Sequence, residues 1–511
     1  MTAPGVSRRS AGSPSALARG LRPAPLPRRR LSISVLMVLA GAMAGPLLVN
    51  APFLTLAGLV ALAMLVATFF HPPLAVYVLV GVTPLLAGVD RGALVPGLRP
   101  SEAVALLLGV AVLGRALVQI VGAHHDRVRL RRTDLVLVLL VVTGSLVPLV
   151  WLLARGHGVA QDDILYSVAL WKYLLLYLLV RSTIRTEQQV RRCLCVSLAS
   201  AGVVGLIGIL QALNLFGVPD LLANHYAPGG DTSALYLSRG SSTLAHPQAM
   251  ADVMVMNLAI ALAWLARAKC NRGPLVIASV LFVVASLASG QFSGAVALLT
   301  GLGALSLLTR QLRQMILALV PALVVAALLV TPVIEERLNS ISQSQGLPTS
   351  WIARVDNLKT YVLPELSNDF SYVLGVRPSA RIPKNGDADG YVFIESGHLW
   401  LLWTGGIPFL VAFFVFVFTN ARATARIARR RLDAVGIAAA ASFSGLIVLA
   451  VVTTFDPHLT LRGAADLNFS LLALAHLGLR EMPSAVGPEV SSEVAEAASQ
   501  ARQRSTRAAK V

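Results

Sequence analysis

The chain has 511 residues, 56% of them hydrophobic and only 13% charged, with a formal charge of +18. That balance excludes an ordinary soluble domain and fits a protein dissolved in lipid. The charge does not point to nucleic acid, because no stretch interleaves basic residues with aromatics on a polar face.

In chain order, residues 1–30 are rich in Arg, Pro, Ser and Ala and read as a disordered basic cytoplasmic tail, since no small-residue cleavage site follows them. From 31 to 479 the chain reads as one polytopic membrane domain. Apolar runs long enough for a hydrocarbon core of roughly 30 Å fall at 31–49, 53–70, 73–89, 101–121, 134–154, 164–181, 193–214, 246–266, 275–289, 292–308, 315–333, 397–418, 434–454 and 466–479. The runs are apolar on every face, which excludes a barrel of short alternating strands. The expected fold is an all-α polytopic membrane protein of about 14 transmembrane helices, or 12 if two close pairs are re-entrant hairpins. Those pairs meet around Pro46–Pro52 and Ser289–Gly294. A polar tail, 480–511, follows.

Charge fixes the expected orientation. With the N-terminus inside, the cytoplasmic segments collect 30 of the 43 Lys and Arg, as the positive-inside rule requires. The short outward connections hold only Arg91, Arg99, Arg155, Arg239 and Arg462. Six more basic residues lie in the long outward loop, 334–396, and Arg115 and Lys172 lie inside helices. Both termini are then cytoplasmic, and the one large loop, containing short helices, is extracytoplasmic. Cys193, Cys195 and Cys270 form neither a disulfide framework nor a zinc spacing.

Three features share the outward side. Ser238-Arg239-Gly240-Ser241-Ser242-Thr243-Leu244-Ala245-His246-Pro247 joins a guanidinium to a Gly/Ser-rich stretch with exposed amides at a helix start, which suits a phosphate or diphosphate; an interfacial anchor is the plain alternative. Trp351 to Leu358 places Arg354 in the long loop. In Glu395-Ser396-Gly397-His398, a carboxylate and an imidazole three residues apart share a helical face if the helix begins early, and such a pair can deprotonate a hydroxyl; a helix cap is the alternative. Lys172, buried among apolar residues, needs either a hydrated cavity with an anionic ligand or a carboxylate partner such as Asp456 or Asp466. His458, Arg462 and Trp400 read as interfacial residues. No Asp/Glu/His cluster has metal-ligand spacing, and neither a metal nor a cofactor is expected.

These pieces resemble the O-antigen ligase and polysaccharide polymerase superfamily of bacterial envelope glycosyltransferases, over residues 164–479. Arg239, Ser242-Thr243 and Pro247-Gln248 follow the family's Arg, Gly-Thr and Pro-Asn, with Ser for Gly and Gln for Asn. Arg354, Leu358, Pro364 and Leu374-Gly375 look like its loop motif, and Gly406-Ile407-Pro408 like its helix motif. In that register Glu395 stands at the family's His and Ser396 at its Asn, so either Glu395 or His398 is the base. The resemblance implies a metal-independent, inverting transfer of a glycan from an undecaprenyl-diphosphate carrier to an acceptor glycan or lipid, in the bacterial inner membrane. Arg239 and Arg354, with Lys172 and His246, would bind diphosphate. A transporter or flippase of lipid-linked glycan is the competing class.

Overall fold

A computed structural model describes residues 52–92, 97–121, 131–226, 239–267, 272–310, 349–384 and 390–479, with a few positions between 320 and 331. The expected tails, the span at 31–49 and most of the span at 315–333 lie outside the described residues. The chain divides into two compact units, Met1–Ala63 and Met64–Val511. In the first, the described residues are the opening turns of α1 (Pro52–Phe70).

The second unit is a helical bundle. Every other expected span meets a helix: α2 (Pro73–Leu86), α3 (Pro100–Val121), α4 (Arg132–Ala154), α5 (Gln161–Thr183), α6 (Glu187–Ala212), α8 (Pro247–Leu265), α9 (Gly273–Ala288), α10 (Phe292–Thr309), α14 (Gly397–Arg430), α15 (Ala434–Val452) and α16 (Ala464–His476). The short amphipathic α7 (Val218–Tyr226) lies between α6 and α8. Among the described residues eight helices, α3, α4, α5, α6, α8, α10, α14 and α15, are long and apolar enough to cross a membrane. Their starts are written locally. Pro73 and Pro247 stand in first turns, where a missing N–H costs nothing. The Thr186 hydroxyl accepts from the Gln189 N–H while the Gln189 side chain accepts from the Thr186 N–H.

Burial sorts the helices. The apolar window of α8 is 83% buried and that of α3 is 11%, so α8 is central and α3 peripheral. Every residue of α16 is buried. Along α3 the exposed side chains include Leu106, Val110, Leu113 and Leu117, an outer surface suited to lipid and not to water. Arg115 needs no cavity, because its guanidinium donates to the Phe69 and Phe70 carbonyls at 2.8 and 2.7 Å.

Hydrogen bonds tie the bundle at two ends. At one, Arg267 donates to the Ala428 carbonyl and Ala434 N–H to Glu187. Arg181, one of the basic residues counted toward the cytoplasmic segments, is 1% exposed there and paired with Asp134. The Tyr177 hydroxyl joins that pair, lying 2.6 Å from Asp134 and 2.7 Å from His476 Nδ1. The opposite end gathers the C-termini of α2, α4, α6, α9 and α15 and the N-termini of α5, α8, α10, α14 and α16.

The described part of the long loop sits at this second end. It comprises α11 (Thr349–Asn357), a π-helical turn (Leu358–Val362), α12 (Leu363–Ser367), α13 (Ser371–Leu374) and a two-stranded hairpin, β1 (Arg381–Pro383) and β2 (Tyr391–Phe393), that the sequence reading does not anticipate. Arg377 grips the buried Asp163 of α5 through two bonds of 3.1 and 2.7 Å, and Arg155 at the end of α4 donates to Ser371 and to the Val376 carbonyl.

One expected span needs correction. The backbone leaves helical geometry at Gly405 and Gly406, so α14 is two helices, 397–404 and 407–430. His398 stacks on Phe414 with ring centroids 5.5 Å apart, although sixteen residues of straight helix would separate them by about 24 Å. The segment 397–404 therefore folds back on 407–430. Irregular backbone at such depth is tolerated where it is buried in protein, as Gly405 and Gly406 are.

Candidate functional site

Arg354 is the centre of the site. It projects from α11, in the loop, toward the turn between α15 and α16. Its guanidinium pairs with Glu395 and with Asp456 Oδ1 at 3.4 Å, and donates to the Phe455 carbonyl at 3.4 Å. Glu395 stands just after β2, and Asp456 stands where α15 has ended. Three distant segments thus meet at one cation. Beside them opens a cavity of about 260 Å³ whose walls include Leu358, Phe393, Leu399 and Phe455 along with Arg354 and Glu395. Apolar walls around one cation and one carboxylate lower the local dielectric and strengthen both.

Behind Arg354 lies a second charged layer. The Asp456 carboxyl is pushed up to about 6 by burial, against the pull of Arg354 and His458. The His458 N–H donates to the Asp456 carbonyl at 2.8 Å, and its Nδ1 lies 2.6 Å from Asp252 Oδ2 of α8. Burial works against a charge on His458, but the carboxylates of Asp252 and Asp456 prevail and its pKa is raised. His458 and Trp400, read from the sequence as interfacial residues, are both enclosed by protein: the His458 side chain is 1% exposed and Trp400 is 3% exposed, packed on Phe409.

Glu395 and His398 do not share a helical face. The helix begins at Gly397, with Ser396 as its N-cap, so Glu395 precedes it. Nor does the Ser396 side chain cap, as the plain alternative would have it. His398 turns to the fold-back, stacked on Phe414 and edge-on to Phe413, and its Nε2 is buried without a hydrogen bond. Of the two rival bases, Glu395 is the one at Arg354.

Lys172 finds a carboxylate, and of the two foreseen it is Asp466: Nζ lies 2.7 Å from Oδ1. The ammonium also lies 5.0 Å from the centre of the Tyr173 ring. Of the two alternatives read from the sequence, the structure shows the carboxylate partner.

The stretch after Arg239 is also corrected. Its amides are not exposed. Gly240 N–H donates to the Ala288 carbonyl at 2.9 Å, and Ser241 and Ser242 N–H both donate to Gln211 Oε1, at 2.9 and 2.7 Å. The Thr243 hydroxyl donates to the Pro84 carbonyl. The stretch is a structural plug seated on α6, and Gln211, the residue that holds it, was missed because a single polar residue late in an apolar helix carries no local signal. Arg239 itself is half-buried at its start. His246 is the N-cap of α8 without a side-chain cap bond; burial, then the Arg99 cation, holds it below the ordinary imidazole value, so it stays neutral near pH 7 and brings no charge to an anion.

Ala288 and Phe455 connect the two arginine regions. Gly240 bonds the end of α9, α10 begins four residues later with Phe292, and the Phe292 ring meets Phe455, whose carbonyl accepts from Arg354. Arg239 and Arg354 accordingly stand at the same end of the bundle. Among the described residues no group of His, Cys, Asp and Glu could hold a metal ion. No protein-family model matches this chain, and no curated protein matches it in sequence.

Proposed function

We propose that this chain is an extracytoplasmic glycosyltransferase, moving a glycan from an undecaprenyl-diphosphate carrier to an acceptor hydroxyl as a surface-polysaccharide polymerase or an O-antigen ligase-like enzyme of the bacterial inner membrane. The observation that carries the reading is the Arg354–Glu395 pair at the mouth of an apolar-walled cavity. The positive-inside rule assigns the opposite end, which collects most of the Lys and Arg, to the cytoplasm, and this supports a cavity on the side where a carrier-linked glycan is presented.

In this reading the carrier's diphosphate competes with Glu395 for Arg354. Arg354 turns to the phosphate oxygens, in the bidentate manner guanidinium favours, and Glu395 is released beside the acceptor. The acceptor oxygen attacks the anomeric carbon and loses its proton to Glu395. The bond from that carbon to the phosphate oxygen breaks, its electron pair leaves with the diphosphate, and Arg354, with Arg239, balances the charge. Attack opposite the leaving group inverts the sugar. Asp456 steadies the guanidinium from behind.

The test is transfer by the purified full chain with a lipid-linked glycan. Arg354→Ala and Glu395→Gln are expected to lower turnover at least about 100-fold, Arg239→Ala to weaken substrate binding, and His398→Ala to act only through stability. Full turnover in both Arg354→Ala and Glu395→Gln would sink the site. Sizing the surface glycan after gene deletion separates polymerase, whose loss removes long chains, from ligase, whose loss leaves full-length chains unattached.

A second reading, a flippase or transporter of lipid-linked glycan, draws on the broken helix at Gly405–Gly406 and the Lys172–Asp466 pair inside the bundle, both devices of transport proteins. It requires glycan to cross liposomes that contain the protein while no glycosidic bond forms.

A further inference from the structure

The hairpin beside the cavity has two faces. Ile382 and Val392 are buried on one, while Arg381, Tyr391 and Phe393 stand on the other, with Arg381 paired across the strands to Phe393. Tyr391 and Phe393, two residues apart and so on one side of the strand, are 50% and 51% exposed. The Arg381 guanidinium lies 5.3 Å from the Tyr391 ring centre and 6.0 Å from that of Phe393, and it reaches Asp162 of α5 at 3.3 Å. The rings are thereby tethered to the bundle by a cation and not left to wander.

Phe393 belongs at once to this outer face and to the cavity wall shared by Arg354 and Glu395. The aromatic face therefore continues the cavity. A pyranose ring presents a face of C–H groups that stacks on an aromatic ring, while its hydroxyls seek donors such as a guanidinium at the edge. Resting on the transfer reading above, we propose that Tyr391 and Phe393, with Arg381 between them, are a stacking platform for the sugar rings of the glycan that lead into the cavity. The geometry gives the platform a direction: the sugar nearest the reacting bond lies at Phe393, and the next one outward lies at Tyr391.

Tyrosine and phenylalanine beside a membrane also serve as interfacial anchors, and the experiment separates the two occupants. The probe is a set of free oligosaccharides cut from the surface polysaccharide of the source cell, carrying no diphosphate, titrated onto the full chain in nanodiscs and read by saturation transfer to the sugar C–H protons. Wild type is expected to bind. Tyr391→Ala and Phe393→Ala are each expected to weaken binding roughly tenfold, and Tyr391→Phe to keep it. Both sites are exposed, so the alanine variants leave the Ile382–Val392 face intact. Unchanged binding in both alanine variants, or none by wild type, overturns the platform. So does quenching of a Tyr391→Trp reporter by brominated lipid, which would place the face in the bilayer. If aromatic-dependent binding stands while no glycosidic bond forms in the transfer assay, the transfer reading falls and the platform survives.

Discussion

Gly375 and Gly406 each press against the backbone that flanks the other. Both have positive φ, +94° and +65°. A Cβ on Gly375 would collide with the Thr404 carbonyl, and one on Gly406 with the Val373 carbonyl. The Val376 N–H donates to the Trp403 carbonyl at 2.7 Å across the same seam. The loop thus docks on the break in α14, and the Leu374-Gly375 and Gly406-Ile407-Pro408 motifs are two halves of one contact. Gly406→Ala is expected to destabilise the protein by at least about 3 kcal/mol, through a strained φ and a clash that backbone cannot relieve. Gly303→Ala, a helical site with open space around it, is expected to be neutral or stabilising. Thermal unfolding in detergent compares them, and equal midpoints would show that the seam does not constrain the loop.

The Lys172–Asp466 pair yields a second expectation. Removing one partner leaves the other charge buried and unmatched, at a cost of about 3 kcal/mol. Lys172→Met alone is expected to unfold earlier than the double variant Lys172→Met/Asp466→Asn. In the double variant the substituted amide still offers a carbonyl oxygen to the Gly463 N–H, which Asp466 accepts at 2.9 Å in the native chain. If the double variant unfolds no later than the single one, the charges are not coupled. Unchanged substrate affinity in a double variant that folds would remove Lys172 from diphosphate binding.

Helix positions were legible because hydropathy is a local property, and the helices stand where the apolar runs do. Arg354 and Glu395 were both legible as candidates, but their pairing was not, since it depends on how the loop folds. The fold-back of 397–404 could have been suspected from the adjacent Gly405 and Gly406, which break helices; the apolar residues on both sides concealed it. Asp252 and His458 lie 206 residues apart, and nothing local to either residue announces the pair. The hairpin was hidden because three-residue strands carry almost no alternation to detect. The amides after Arg239 looked free because their acceptors, the Ala288 carbonyl and Gln211, come from other helices.

Acid and base should act on this end of the bundle in a defined sense. Asp456 is raised by burial from 3.8 to about 6, so the folded form binds more protons between those values, and stability falls as pH rises through that window, by about 3 kcal/mol in all. His458 is raised from 6.5, by Asp252 and Asp456 prevailing over burial; the stability it contributes is complete below 6.5 and is lost as pH rises through its folded value. Both act in the same direction. Unfolding midpoints of wild type and of each variant from pH 4 to pH 8 isolate the two groups: the advantage of wild type over Asp456→Asn is expected to shrink as pH rises from 4 to 6, and that over His458→Gln as pH rises above 6.5, on top of the opposite slope from His246, whose lowered value leaves the folded form with fewer protons. A midpoint that climbs across this range in wild type and flattens in Asp456→Asn would reverse the assignment.

The proposed exchange of Glu395 for diphosphate on Arg354 makes a kinetic prediction. If Glu395 must be displaced, Glu395→Gln removes both the proton acceptor and the competitor, so turnover collapses while lipid-linked substrate binds more tightly. A base of another kind at the same place should restore turnover, and histidine is the residue that the resembled family carries there. Glu395→His is therefore expected to recover part of the rate lost in Glu395→Gln. Single-turnover rates and substrate affinities test both halves. Turnover in Glu395→His as low as in Glu395→Gln, or looser binding in Glu395→Gln than in wild type, would mean that Glu395 only positions Arg354 and that the acceptor proton leaves by another route.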